Sequence, residues 1–268
     1  MSEHKPYTEH HRARKRFGQN FLVRQDIIHR IVQSVNAREG DTVVEIGPGL
    51  GALTEPLLEA AGELHVIEID RDLALRLHDR RDARLHIHET DVLKVDFESL
   101  IPGKKSLRIV GNLPYNISTP LLLKLAHSHH CVTDLHVMLQ LEVVDRLVAV
   151  CGTKAFGRLS VIMQSVFNIE QILAIPPDAF KPAPKVQSAV ARLTPRKSVP
   201  SSQELAALES ATRTAFSNKR KTLRNNFKNV LNEEALTKLD IDPNARAETL
   251  SLDAFHRLAS AMIDVPPN

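Results

Sequence analysis

The sequence predicts an α/β fold, a mostly parallel sheet with helices on both faces, followed by a small all-helical C-terminal domain. Three observations predict it. From Asp41 onward short apolar runs alternate with amphipathic stretches, the pattern of successive β–α units. A glycine-rich segment, Gly47-Pro48-Gly49-Leu50-Gly51, separates the first apolar run from the first amphipathic stretch, where open sheets turn toward their ligands. Beyond the polar linker Pro195–Ser202 the composition turns helical, with no strand-like runs.

Residues 1–16 are polar and basic without apolar periodicity, so a flexible basic N-terminus is expected. In Phe17–Leu22 two phenylalanines bracket a polar Gly-Gln-Asn turn. This segment reads either as a hydrophobic staple for the next helix or as a lid strapped across a ligand site. The helix begins near Arg24, with Ile27, Ile28, Ile31, Val32 and Val35 at helical spacing. Strands are expected at Thr42–Ile46, Leu64–Ile69, Leu85–His88, Ile109–Gly111 and His136–Leu141. Between and after them, Leu50–Ala61, Asp72–Arg80, Thr119–Leu125 and Val143–Val150 read as helices. A further helix at Leu159–Phe167 leads to two late strands, Ile169–Ile175 and Ser188–Leu193. The loop between those strands is stiffened by prolines and presents Phe180. The expected division is a domain over residues 17–198 and a helical domain over 199–268.

With 268 residues, 43% hydrophobic and 25% charged, the chain can bury a sizeable core, which excludes extended disorder. Cys131 and Cys151 make neither a disulfide framework nor a metal spacing, so a reducing cytoplasm is expected. The most apolar run, Leu135–Val150, is interrupted by Gln140, Glu142, Asp145 and Arg146, and the N-terminus has no apolar signal core. Membrane insertion is therefore not expected. Of thirteen histidines, His86 and His88 share a strand face and His127, His129 and His130 cluster. No carboxylate or cysteine completes either group at ligand spacing, so no metal is expected.

The richest stretch is Leu107–Ser118. An apolar run breaks at Gly111-Asn112, and Pro114 fixes the turn. The Asn112 amide and the Tyr115 ring are left near a strand's C-terminal end, where such sheets bind ligands. An amide oxygen, a backbone carbonyl at Pro114 and an aromatic face suit a planar heterocycle bearing an exocyclic amine. They suit equally a strand-ending turn with a buried tyrosine.

The glycine-rich loop gains meaning from Glu68, which ends the next strand about 20 residues on, where an acid accepts the hydroxyls of a ribose. Two cofactor classes fit. A dinucleotide fits the relaxed glycine pattern, with Ala52 in the third position. S-adenosylmethionine fits an acid or glycine at the methionine end (Glu45 or Gly47), Glu68 at the ribose and Asp91 at the adenine. No hydride-transfer site is visible.

Two segments are basic: Arg12, Arg14, Lys15 and Arg16, and then Lys219, Arg220, Lys221, Arg224 and Lys228. Arg213–Asn232 contains no acid. Arg220, Arg224 and Lys228 fall at helical spacing, opposite a stripe of Leu223, Phe227, Val230 and Leu231. A helix packed on one side and basic on the other suits phosphate contacts, though a solvated basic face is the plain alternative.

These motifs together resemble the ribosomal RNA adenine dimethyltransferase family, most closely its small-subunit branch. The resemblance rests on F-G-Q-N-F-L at 17–22, E-I-G-P-G-L-G-A-L-T at 45–54, I-E-I-D at 67–70 and D-V-L at 91–93. It continues through N-L-P-Y-N-I-S at 112–118, F-K-P-A-P-K-V at 180–186 and K-R-K-T-L-R-N at 219–225. It implies a class I S-adenosylmethionine-dependent methyltransferase domain with a Rossmann-like sheet, and a small helical RNA-binding domain. Carried over by motif, Asn20 and Leu22 belong to a strap over the cofactor, Gly47 to its methionine end, Glu68 to its ribose and Asp91 to its adenine. Asn112 bridges cofactor and target amine beside the Pro114 carbonyl, while Tyr115 and Phe180 sandwich the target base. Lys219, Arg220, Lys221, Arg224 and Lys228 are the candidate RNA contacts. Leu113 after the motif's Asn favours the small-subunit branch over the large-subunit one, and Gln187 departs from an Asp common in the family. The implied activity is N6-dimethylation of two adjacent adenines in a hairpin near the 3′ end of small-subunit rRNA, by a monomer acting on immature small subunits. The alternatives are an adenine methyltransferase of large-subunit RNA and a non-catalytic ribosome-assembly factor.

Overall fold

The structure, a computed structural model, describes residues 14, 19–101, 103 and 106–263. Phe17, Gly18 and most of the N-terminal basic cluster therefore lie outside the described residues. The chain divides into two compact units.

The first unit comprises the described residues up to Leu121, with His130–Leu141 and Glu170–Leu193. Its chain order is β1 (Phe21–Leu22), α1 (Gln25–Val35), β2 (Thr42–Ile46), α2 (Thr54–Ala61), β3 (Leu64–Glu68) and α3 (Arg71–His78). Then come β4 (Leu85–Glu89), β5 (Leu107–Asn112), α4 (Ser118–His127), β6 (Val132–Gln140), α5 (Leu141–Leu147), α6 (Arg158–Val166), β7 (Phe167–Ile175), β8 (Phe180–Lys181) and β9 (Ser188–Pro195). Of these, most of α4, α5 and α6 belong to the second unit.

The main sheet has seven strands in the order β4-β3-β2-β5-β6-β9-β7. Strands β4 through β6 are parallel, and β9 joins β6 antiparallel. The strand order reverses between β2 and β5, the crevice where such sheets bind ligands. The inner strands are near-continuous apolar runs because both faces are covered. On one face α1 buries Ile27, Ile28, Ile31 and Val35, each fully buried aliphatic contributing about 1.5–3 kcal/mol. Asn36, in the left-handed region at φ 49°, ends α1 by donating its N–H to the Val32 carbonyl. Strands β2 and β5 approach so closely at their ends that a Cβ on Gly111 would lie 2.5 Å from the Ile46 carbonyl oxygen. Only glycine fits there.

Each strand of the sheet was predicted, with shifts of at most two residues at the ends except in β6, which starts at Val132 rather than His136. Helix α2 differs by as much, starting at Thr54 rather than Leu50. Leu50–Leu53 has helical spacing of apolar residues, but Gly49 (φ 59°) and Gly51 (φ 86°) hold that stretch in turns. A small second sheet was not foreseen: β1 pairs antiparallel with β8, Phe21 opposite Lys181 and Leu22 opposite Phe180.

The second unit contains residues 122–129, 142–169 and the described residues from Thr194 onward. It adds α7 (Ser202–Ala215), α8 (Leu223–Phe227), α9 (Glu233–Lys238) and α10 (Leu252–Met262). Helix α7 starts at a capping box, Ser201 with Glu204, and α10 at a Ser251 cap. Their buried stripes meet around Leu205, Leu208, Phe255 and Leu258, and the rings of Phe216 and Phe255 stack 5.6 Å apart. This unit does not begin at residue 199. Helix α6 buries Val161, Ile162, Met163 and Val166, is apolar on several sides, and packs with α7 and α10.

Candidate active site

Seven segments of the first unit converge on one cavity at the C-terminal ends of β2, β3, β4 and β5. Its floor is the glycine-rich loop after β2. Gly47 sits at φ 67°, a conformation L side chains rarely adopt, and donates its N–H to the Ile67 carbonyl at 2.9 Å. Glu68, at the end of β3, is 5% exposed and held in place from both sides. Its Oε1 accepts from the Asp70 N–H at 2.8 Å and its Oε2 from the Gly49 N–H at 3.3 Å. Burial pushes its carboxyl above the ordinary range. Asp91, after β4, accepts from the Leu93 N–H at 3.0 Å, which fixes its side chain as the cap of a 3₁₀ turn.

Glu45, one residue before the end of β2, is 2% exposed. It accepts a 2.7 Å hydrogen bond from the Thr54 hydroxyl, and burial pushes its carboxyl up to about 7. A neutral-to-anionic switch at that value costs little when a cation arrives beside it.

Strand β5 delivers Asn112 and the turn after it. The Asn112 side-chain Nδ2 donates to the Asn20 carbonyl at 2.8 Å. That bond settles which end of the amide is which: Oδ1 is left as the acceptor, and it makes no hydrogen bond among the described residues. The Pro114 carbonyl accepts from the Ile117 N–H at 3.1 Å and keeps a second lone pair. The half-buried Tyr115 ring is anchored by its hydroxyl, 3.0 Å from the Ser188 hydroxyl of β9. Two acceptors and an aromatic ring, all fixed by other groups, thus line one wall.

Over the cavity runs the β1 segment. Gln19 Nε2 donates to Asp70 Oδ2 at 3.0 Å, and Arg14 Nη1 to Asp70 Oδ1 at 2.9 Å. Arg14 also pairs with Asp72. Phe21 packs so close to the loop that a Cβ on Gly49 would lie 3.1 Å from its ring. Gln19–Leu22 border the cavity, as the strap reading expects, and Leu22 also shares a buried cluster with Ile27 and Ile28 of α1, as the staple reading expects.

Asn20, Leu22, Gly47, Glu68, Asp91, Asn112, Pro114 and Tyr115 all line this cavity. Phe180 does not. Its side chain is 2% exposed and packs in the core with Leu22, Ile175 and Val190, because β8 pairs it against the strap. Sequence reasoning gave Thr54, Ser188, Gln19 and Arg14 no part in this site; their bonds here join residues nine or more positions apart.

The basic segment differs from expectation. Arg220, Arg224 and Lys228 do not share a continuous helix: Ser217–Thr222 is non-helical, and α8 spans only Leu223–Phe227. Asn226 Nδ2 donates to the Ala215 carbonyl at 2.7 Å and the Asn218 carbonyl at 3.3 Å, which stabilises the turn instead. Lys219, Arg220, Lys221, Arg224 and Lys228 are nonetheless all exposed, while Leu223 and Phe227 anchor the segment in the core.

The residues fit S-adenosylmethionine: a buried, braced acid at a strand end for a ribose, a glycine cradle, and an acid near neutrality beside the loop. No described helix is long and apolar enough to cross a membrane.

Comparison with known proteins bears on both units. The family described as Ribosomal RNA adenine dimethylase matches residues 10–264. A protein of Colwellia psychrerythraea named Ribosomal RNA small subunit methyltransferase A is 49% identical over 260 residues, 96% of this chain and 86% of its own length. One of the same name from Dechloromonas aromatica is 51% identical over 252 residues, 93% of this chain and 98% of its own. Among solved structures, a dimethyladenosine transferase from Plasmodium falciparum has a TM-score of 0.76 at 25% identity, covering 88% of this chain and 95% of that one. The 23S rRNA methyltransferase ErmE has a TM-score of 0.67 at 25% identity, covering 90% of this chain and 99% of its own. The fold is thus that of the class I methyltransferases, S-adenosylmethionine is the cofactor, and the chain belongs to the ribosomal RNA adenine dimethylase family.

Proposed function

We propose that this chain dimethylates N6 of two adjacent adenines in a hairpin near the 3′ end of small-subunit rRNA. The observation that carries this reading is the Asn112 amide. Its Nδ2 is committed to the Asn20 carbonyl, and its Oδ1 is left as an acceptor in a cavity that also holds Pro114 and Tyr115. The small-subunit substrate rests on the relatives of that name, about half identical over more than nine-tenths of the chain.

S-adenosylmethionine, when bound, supplies the methyl group as an electrophile. Glu68 would hold its ribose hydroxyls, Asp91 its adenine amine, and Gly47 and Glu45 its methionine end. The N6 amine of the target is a poor nucleophile because its lone pair is delocalised into the ring. Asn112 Oδ1 and the Pro114 carbonyl accept its two N–H groups, which favours a tetrahedral nitrogen and frees the pair. The same oxygens stabilise positive charge as it develops there. Tyr115, pinned through Ser188, stacks on the base and adds a cation–π contribution. Acceleration comes mainly from positioning. No strong base is needed, since the methylated ammonium is itself acidic. The base must be unstacked to enter, which favours a single-stranded loop. The exposed Lys219, Arg220, Lys221, Arg224 and Lys228 hold the RNA backbone. The reading has the chain act as a monomer on immature small subunits in the cytoplasm.

The test is transfer of labelled methyl groups to immature small subunits, with the product nucleosides separated. Label in N6,N6-dimethyladenosine is expected. Label only in large-subunit RNA moves the substrate to the other branch. Intact RNA binding with no labelled adenine overturns the enzymatic reading.

A further inference from the structure

A side-chain cluster at the sheet edge plays no part in the methyl-transfer site. Strands β3 and β4 run parallel with His65 opposite His86. Register partners point to one face, and so do residues two apart on a strand, which places His65, His86 and His88 together. The rings of His65 and His86 stack with centroids 4.6 Å apart, and those of His65 and His88 with centroids 5.4 Å apart. His65 Nδ1 lies 3.1 Å from His88 Nε2. Glu63, just before β3, brings Oε1 to 2.6 Å from His86 Nε2. One ligand atom from each of Glu63, His65 and His86 lies within 4.8 Å of the others. Sequence spacing gave no metal here because no carboxylate shares the strand face of His86 and His88: Glu89 adjoins His88 and so points to the other face. Strand pairing supplies Glu63 and His65 from the neighbouring strand.

We infer that Glu63, His65 and His86 form a binding site for a borderline divalent transition cation of the Zn²⁺ class, with His88 orienting His65 from behind. Two imidazoles and one carboxylate suit Zn²⁺, Co²⁺, Ni²⁺ or Cu²⁺, whereas Ca²⁺ and Mg²⁺ call for oxygen donors. Zn–N bonds of about 2.0–2.1 Å put neighbouring tetrahedral ligand atoms about 3.4 Å apart. The three ligand atoms lie within 4.8 Å of one another, so side-chain rotations of about an ångström, including that of the exposed Glu63, bring them to that spacing. Three protein ligands leave a position for water. The His88–His65 contact has the form of the outer hydrogen bond that fixes a ligating imidazole's tautomer and ring plane. A cation here clamps β3 to β4, the strands that carry Glu68 and lead to Asp91. The bland reading is a Glu63–His86 surface pair alone, worth little with both side chains well exposed. That pair has no use for His65, and this separates the two readings.

The test uses the full chain without an affinity tag, stripped with chelator. It is titrated with Zn²⁺ by calorimetry and with Co²⁺ by visible absorption. One Zn²⁺ per chain and a Co²⁺ spectrum without thiolate charge transfer are expected. His65→Asn and His86→Asn should abolish that site, Glu63→Gln should weaken it, and His88→Asn should cost about tenfold in affinity. The melting temperature in chelator shows whether each variant is folded. His4, His10 and His11 near the N-terminus are a second source of imidazoles. Replacing all three with Asn should leave the site intact. No Zn²⁺ binding, binding unchanged in His65→Asn, or binding lost with His4, His10 and His11 would each overturn the inference.

Discussion

At the ends of β2 and β3 the acids are buried and already partnered, Glu45 by Thr54 and Glu68 by the Gly49 and Asp70 amides. Between α7 and α9 five cationic side chains stand in solvent, and among the described residues only Arg224 approaches an acid, Glu233 at 3.7 Å. Under the proposed function, the difference follows from what each region would recognise. A small polar ligand is selected by acceptors that cannot move, so their alternatives must be removed by hydrogen bonds and burial. A polyanion is held by charges whose partners are counterions, so long stems and exposure suffice, and salt weakens the grip. Perturbing the first region should change turnover and stability. Perturbing the second should change affinity and its salt dependence alone.

The largest effect tests that separation directly. Asn112→Ala removes one acceptor aimed at developing charge, so turnover should fall about 10²–10³-fold, the usual loss for one such group. RNA affinity, measured by filter binding, should stay near that of the parent. An equal loss in both would dissolve the distinction between the regions.

Glu45 comes next. Burial raises its carboxyl from 4.5 to about 7. The folded chain therefore holds this proton more tightly than the unfolded chain does. Stability is undiminished below about pH 4.5, falls as pH rises toward about 7, and stays reduced above it. The full cost is about 3 kcal/mol as an upper figure. Glu45→Gln should match the parent in urea unfolding at low pH and exceed it at pH 8. A variant less stable than the parent at pH 8 would mean that ionised Glu45 is better satisfied than its burial implies.

How much of this was legible along the chain follows the same division. Strand β2 and the positions of Glu68, Asp91 and Asn112 at strand ends could be read directly, because apolar runs closed by a polar residue are local signals. Leu50–Leu53 misled because periodicity does not report the positive φ of Gly49 and Gly51. The spacing of Arg220, Arg224 and Lys228 misled for a different reason. An exposed face has no packing to enforce helix, so Asn226 could commit its amide to a turn. The Tyr115–Ser188 bond, the strap pairing and the Glu63–His65–His86 cluster are contacts between distant segments, which no window of sequence contains.

The basic segment gives a smaller and different signature. Replacing Arg220, Arg224 and Lys228 together with Gln should weaken RNA binding. It should also flatten the slope of log affinity against log salt by about 2, at about 0.7 for each lost contact to single-stranded RNA. Turnover at saturating RNA should not change. An unchanged slope would take these side chains off the phosphates.

Phe180 carries the smallest expected effect, and it tests where the first region ends. Motif resemblance puts its ring on the target base, whereas the structure buries it in the core opposite Leu22. Phe180→Leu separates these roles because it keeps an apolar side chain but removes the aromatic face. As a core residue it should cost less than about 1.5 kcal/mol of stability, near the limit for well-tolerated apolar swaps. The KM for RNA should then stay unchanged, since the ring lines no part of the cavity. A base stacked on this ring would instead lose about 1–3 kcal/mol, seen as a raised KM with stability preserved. That outcome would mean the ring leaves its core contacts when RNA binds, and it would extend the fixed wall of Asn112, Pro114 and Tyr115 by one residue that moves.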